Sequence, residues 1–191
     1  MTNKKSKLYK IAMARKVNAA LSLVCTFLIL FHGTYDALWM MLRGLVPNLP
    51  KPMAFVLMGF VIAHTILSIV TAILGSGGKS EIKGKFYAKE NIKTLVQRVF
   101  AALMLLLLVP HIIGMGNRLA PKVLHSIIHP IFFLAVYGHT AISTSKAFIT
   151  LGVGNAKTIK AIDIIATILC ILIFIASVVG LYLVMYGRWL G

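Results

Sequence analysis

Five long apolar segments constrain this chain more than any other feature. Each is long enough to cross a hydrocarbon layer of about 30 Å, which takes roughly 20 helical residues. The segments are residues 17–42, 52–75, 94–115, 121–145 and 161–187. With 59% hydrophobic residues and a mean hydropathy of +0.91, a soluble domain is excluded. The segments are continuous where barrel strands would alternate, so the sequence predicts an all-α membrane bundle of five transmembrane helices, one domain over residues 1–191.

Lysine and arginine are concentrated on one side of this bundle. Six precede the first segment, six lie between the second and third, and three lie between the fourth and fifth, against five on the other side. The positive-inside rule therefore predicts a cytoplasmic N-terminus, an outside C-terminus and a multi-pass protein of the cell inner (cytoplasmic) membrane. The net charge of +16 is then expected to contact anionic membrane lipid or an acidic cytoplasmic partner, and not nucleic acid.

Histidine is the main ionisable residue inside the predicted helices. Polar side chains at membrane depth are costly and usually functional. The first three segments contribute one histidine each and the fourth contributes three: His32, His64, His111, His125, His129 and His139. Two imidazoles from facing helices supply the axial ligands of a b-type haem. Histidines at two depths therefore predict two stacked haems. Depth favours His32 with His111 on the outer side and His64 with His139 on the inner side, although the margin is only about one helical turn.

Small residues accompany these histidines. VIAHTILS (61–68) and VYGHTAIS (136–143) share a valine, a small residue before the histidine, a threonine after it and a later serine. Ala63 and Gly138, like Gly33 beside His32, are expected to let a flat macrocycle approach the helix, as small residues let helices approach one another.

Two other chemistries compete with haem. Zinc prefers a tight cluster of three or four ligands, which histidines at two depths do not suit. A cofactor-free proton-coupled transporter usually contains intramembrane carboxylates, and Asp36 is the one candidate here.

Two segments resemble a known family. RKVNAALSLVCTFLILFH (15–32) looks like the first-helix pattern of the dihaem cytochrome b membrane anchors of succinate dehydrogenases and fumarate reductases (succinate:quinone oxidoreductases), and QRVFAALMLLLLVPH (97–111) resembles their third helix, which ends in histidine. The likeness covers all five segments, with one ligand histidine on each of the first four. The family commonly has His-Ser where this chain has Asn18-Ala19.

The resemblance implies a specific function. Its outer haem b would be held by His32 and His111 and its inner haem b by His64 and His139. It implies a cytoplasmic flavoprotein subunit and an iron–sulfur subunit on the inner face, with a quinone, expected to be menaquinone, in the membrane. The chain alone would then have no turnover with succinate or fumarate. The alternative is the cytochrome b subunit of another quinone-linked oxidoreductase, of the formate dehydrogenase or hydrogenase type.

Asp36 is the candidate quinol proton acceptor. Menaquinol-oxidising members of the family use an acidic residue near the outer haem, and the second segment offers none. Asp36 follows His32 by one helical turn and lies in the outer half of the membrane. The alternative is a structural carboxylate bonded to Tyr35, to Arg43 or to a helix end.

Other polar residues have alternative roles. His125 and His129 are expected at the interface or on a haem propionate, and His125 is an alternative to His111 as the outer ligand. Four cations lie at membrane boundaries where propionates would emerge, although contact with lipid phosphates explains them as well: Arg15, Arg98, Arg118 and Lys122.

Overall fold

The chain forms a bundle of five long α-helices. A computed structural model describes residues 2–42, 45, 47, 51–75, 85–115 and 124–186. The helices are α1 (Thr2–Met41), α2 (Lys51–Gly75), α3 (Lys85–Met115), α4 (His129–Leu151) and α5 (Ala156–Tyr186), with a short π-helix (Leu124–Ile128) leading into α4. All five are long and apolar enough to cross a membrane. The predicted all-α class and the five spans are confirmed, whereas the orientation of the termini stays a prediction.

The boundary between the last two helices differs from the sequence prediction. α4 continues to Leu151, so Lys146 lies inside the helix and is not one of the loop lysines. Lys146 and Thr150 lower the hydropathy of the added turn, but Lys146 Nζ donates to side chains of α3 and Thr150 Oγ1 donates to the Lys146 carbonyl at 2.9 Å. Gly152, with φ of 75°, ends α4 in the left-handed conformation that glycine adopts without strain.

The N-terminus of α1 also extends beyond the predicted segment. α1 has 40 residues and is therefore about 60 Å long, roughly twice the thickness of the hydrocarbon layer. The helix begins at Thr2 because its basic first residues are also good helix formers. It therefore projects from one end of the bundle.

α4 is the central helix of the described bundle. It packs against α1, α3 and α5, and α5 also packs against α1. The core between them contains Phe132, Phe133 and Tyr137 from α4, Met40 from α1 and Cys170 from α5. A cysteine in this position is a small apolar filler, which agrees with the absence of any disulfide at the two buried cysteines.

Candidate functional site

A slot separates α2 from α3 and α4. Among the described helices, α2 packs closely against α1 alone, and the backbone of α1 does not approach that of α3. α1 and α2 therefore form one wall, α3 and α4 form the other, and the walls join where α1 meets α4. Two cavities lie in this slot, and both are lined by residues of all four helices.

We call the cavity on the predicted outside the outer cavity and the other the inner cavity. Met104 and Leu105 line both, so the two cavities follow one another along the slot with α3 side chains between them. Their positions match the two depths at which the sequence places histidines.

The outer cavity has a volume of about 150 Å³ and is mainly apolar. His32 and Asp36 of α1 and His111 of α3 line it, and Tyr137 of α4 and Ser177 of α5 complete its polar part. The Tyr137 hydroxyl lies 3.3 Å from the Ser177 hydroxyl. The cavity therefore combines an apolar interior with one polar corner.

The inner cavity has a volume of about 550 Å³. His64 of α2 and His139 of α4 line it, and they are close enough to interact electrostatically. Three cationic side chains also line it, Arg15, Arg98 and Lys146, whereas none of its described lining residues is acidic. Most of the remaining lining residues carry hydroxyl or amide groups: Asn18, Ser22, Thr65, Ser68, Thr71, Thr94, Gln97, Ser143 and Thr150. The inner cavity is thus larger, more polar and more positive than the outer one.

The predicted histidine pairs each share a cavity. His32 and His111 line the outer cavity, and His64 and His139 line the inner one. His125, the alternative outer ligand, does not line either cavity. Its ring stacks on His129 with the centroids 5.1 Å apart.

His139 is held in one defined state. Its Nδ1 lies 3.1 Å from the main-chain carbonyl oxygen of Gln97. Because a carbonyl only accepts hydrogen bonds, Nδ1 must donate, and the lone pair of the neutral ring is then on Nε2. Metal-bound histidines typically have such a backbone partner on the other ring nitrogen.

Among the described residues, the other three of the four predicted iron ligands each have a buried ring nitrogen without a hydrogen bond. Nδ1 of His32, of His64 and of His111 is buried and has no hydrogen-bond partner within the described ranges. Nε2 of His32 lies 3.2 Å from the Asp36 carboxylate. Burying a polar atom without a partner costs free energy. A metal bonded at Nδ1 of His64 or of His111 would remove that cost for those two rings, since either imidazole nitrogen can bind a metal.

Aromatic rings surround His111. It stacks on Phe132 with the ring centroids 4.3 Å apart and lies 5.3 Å from His129 and 6.0 Å from Phe133. His129 is fully buried. Its ring lies against His111 of α3, whereas its depth in the membrane and its propionate role stay predictions.

Asp36 makes its side-chain contact within α1, with His32. The Tyr35 hydroxyl donates to the Pro47 carbonyl oxygen at 2.7 Å, so it does not hold Asp36. Arg43, the other predicted partner, lies outside the described residues. The contact with His32 and the position in the outer cavity wall leave Asp36 available to a molecule bound there.

Two of the four cations with a predicted propionate role lie at the site. Arg15 and Arg98 both line the inner cavity. Arg118 and Lys122 lie outside the described residues.

The glycines predicted to admit a macrocycle accommodate side chains instead. A methyl group on Gly138 would meet the ring of Phe100, and one on Gly33 would meet the Tyr137 hydroxyl. Both glycines are therefore explained by helix packing. Sequence periodicity gave no sign of this, because the two aromatic side chains come from other helices.

The inner cavity fits a macrocycle better than the outer one. A 150 Å³ apolar cavity accepts a molecule of about the size of benzene, so the outer cavity would have to widen to admit a four-ring macrocycle. Met40, Met58 and Met104 line it, and methionine changes conformation easily. Within the described ranges, no three His, Cys, Asp or Glu side chains gather closely enough to hold a metal ion, and a haem requires only two protein ligands.

Sequence reasoning missed two residues of the inner site, Gln97 and Lys146. Lys146 Nζ donates to Gln97 Oε1 and to Thr94 Oγ1, each at 3.0 Å. The spacing of seven residues between His139 and Lys146, two turns on one helix face, was the available signal.

Comparison with known proteins found no family model, no curated protein and no solved structure that matches the chain.

Proposed function

We propose that this chain is the dihaem b-type cytochrome anchor of a succinate:quinone oxidoreductase or quinol:fumarate reductase. It would carry electrons between a membrane quinone and a cytoplasmic iron–sulfur and flavoprotein pair. One observation carries the proposal: four histidines, one from each of α1 to α4, line two successive cavities in pairs. A bis-histidine haem b supplies reversible one-electron transfer in such a position.

The inner site needs the least rearrangement. His139 already donates its Nδ1–H to the Gln97 carbonyl oxygen, so the lone pair of Nε2 would be available to bind iron. His64 faces it across the inner cavity with a buried Nδ1. Arg15, Arg98 and Lys146 would neutralise two propionate groups, because cations are the expected partners of buried carboxylates.

The outer site combines a ligand pair with a carboxylate. Its donors, His32 and His111, have the same chemistry as the inner pair, although the cavity between them must widen. If Nε2 of His32 were the ligand atom, its contact with Asp36 would be replaced and the carboxylate would be released. Asp36 would then accept a proton from a quinol, expected to be menaquinol, near the outer boundary.

The partners follow from the predicted orientation. The basic residues of the N-terminal side would face the cytoplasm, where the iron–sulfur and flavoprotein subunits are expected to dock. The location proposed is the cell inner membrane, and the chain would not be catalytic without those subunits.

The decisive experiment is a reduced-minus-oxidised visible spectrum of the purified full-length chain, together with its haem content per polypeptide. We expect the bands of a low-spin b-type cytochrome and two haems per chain. A chain without haem would refute the proposal and favour a cofactor-free transporter. The soluble subunits that co-purify separate this family from the formate dehydrogenase or hydrogenase type.

A further inference from the structure

α2 is held in the bundle from one side. Among the described helices it packs closely against α1 alone, whereas α1 also packs against α4 and α5. Thr71 is the one buried residue of α2 between Pro52 and Ile73. Helix association in a bilayer has little hydrophobic driving force, because lipid tails are as apolar as the helix faces. The rotation of α2 about its own axis therefore depends on specific contacts with α1.

One such contact is a hydrogen-bonded pair of polar side chains, Asn18 of α1 and Ser68 of α2. Asn18 Nδ2 donates to Ser68 Oγ at 3.1 Å, and the Ser68 hydroxyl donates to Asn18 Oδ1, 3.3 Å away. Polar side chains that bond across helices stabilise helix association in membranes. Because the pair bonds in both directions, it fixes the two side chains relative to each other.

The Asn18–Ser68 pair lies beside the predicted inner iron ligand of α2. Ser68 follows His64 by four residues, so the two side chains lie on the same face of α2, one turn apart. Asn18, His64 and Ser68 all line the inner cavity. Successive residues of a helix are about 100° apart around its axis. A rotation of α2 by a fraction of that angle would therefore change how the His64 ring faces His139.

α1 connects this pair to the helix that carries the other inner ligand. It packs against α4, and Thr26 Oγ1 of α1 lies 3.5 Å from Thr144 Oγ1 of α4. Both threonines are buried. A continuous set of contacts therefore links α4, which carries His139, through α1 to α2.

We propose that Asn18 and Ser68 are positioning residues for the inner haem. By hydrogen-bonding each other they set the rotation of α2, and with it the orientation of the His64 ring toward His139. This inference rests on the proposed function. Side chains outside the ligand set commonly orient the ligands of a metal site.

The test compares variants of the full-length chain with the wild type. Asn18→Leu and Ser68→Ala each remove one partner, and the double variant removes both. Ser68→Thr keeps the hydroxyl. Thr167→Val is the control, since the Thr167 hydroxyl donates within α5, to the Asp163 carbonyl, and Thr167 lines neither cavity.

The readout is the low-spin electron paramagnetic resonance signal of the inner haem, together with the haem content per polypeptide. This signal depends on the angle between the planes of the two axial rings. The inner signal is identified as the one that His64→Ala lacks.

We expect Asn18→Leu and Ser68→Ala to move the inner signal from its wild-type position by similar amounts, because each breaks the same pair. The double variant should move it no further than either single variant. Ser68→Thr should keep most of the wild-type signal, and Thr167→Val should keep all of it. The signal of the outer haem should stay unchanged in every variant.

The outcomes separate this inference from the proposed function. A wild-type chain without haem refutes both. Two bound haems with a wild-type inner signal in Asn18→Leu and Ser68→Ala overturn the positioning role alone. Shifts that add in the double variant would also overturn it, because the two residues would then act on the haem separately. If Asn18→Leu fails to assemble, the two Ser68 variants decide, and a signal that Ser68→Thr displaces as far as Ser68→Ala does would overturn the role of the hydroxyl.

Discussion

If the chain binds two haems as proposed, replacing His139 by alanine should remove one of them. His139 and His64 are the only histidines that line the inner cavity, so the loss of either leaves one axial ligand there. The outer pair lines a separate cavity that shares only Met104 and Leu105 with the inner one. Haem content should therefore fall from two per chain to one.

The pairing also predicts how two substitutions combine. If His64 and His139 belonged to two different haem sites, the double variant would lose two haems. If both bind one iron, the loss of either ligand or of both removes the same single haem. His64→Ala, His139→Ala and the double variant should therefore all retain one haem per chain. The assay is the haem content per polypeptide of the purified, helical, monodisperse protein.

The matched control is His125→Ala, since His125 lines neither cavity. Its haem content should equal that of the wild type. Loss of both haems from His139→Ala in a fully helical chain, or loss of none, would refute the assignment of separate pairs.

Three further predictions concern the outer site. His111→Ala should lose the outer haem, and retention of both haems in this variant, with loss in His125→Ala, would transfer the ligand role to His125. Pro110→Ala should alter the midpoint potential of the outer haem, because the proline removes a helical hydrogen bond just before His111 and is expected to bend α3; unchanged potentials would show that Pro110 has no functional role. Asp36→Asn should abolish reduction of the haems by a quinol while leaving both bound and reducible by dithionite, and wild-type quinol activity would exclude Asp36 as the proton acceptor.

The helices were predictable because the hydropathy of each segment indicates directly whether lipid or water surrounds it. The end of α4 was not, since Lys146 follows the apolar segment and is by composition a loop residue. In the structure its ammonium group donates to Thr94 and Gln97 of α3, and the Thr150 hydroxyl donates to the Lys146 carbonyl, so the helix continues to Leu151. Local satisfaction of polar groups is a property of the folded helix, and a hydropathy window does not record it.

The sequence predicted which residues form the candidate site better than it predicted which side chains surround them. Counting residues along each span favours His32 with His111 and His64 with His139 by about one helical turn, because helical rise converts sequence position into depth. Depth gives no rotation about the helix axis, however. The contact of Phe100 with Gly138 and the reach of Lys146 to α3 depend on that rotation and on packing between helices.

The charges that line the two cavities also predict which haem is the easier to reduce. A cation favours the reduced state of a nearby iron and an anion disfavours it, and burial strengthens both effects. Arg15, Arg98 and Lys146 line the inner cavity, whereas Asp36 is the one carboxyl group among the described residues that line the outer cavity. The inner haem should therefore have the higher midpoint potential, and electrons should pass inward from the outer site without an energetic barrier from these charges. A redox titration of His64→Ala should lack the high-potential component, and a titration of His32→Ala should lack the low-potential one. The opposite assignment would mean that contacts other than these side-chain charges set the two potentials.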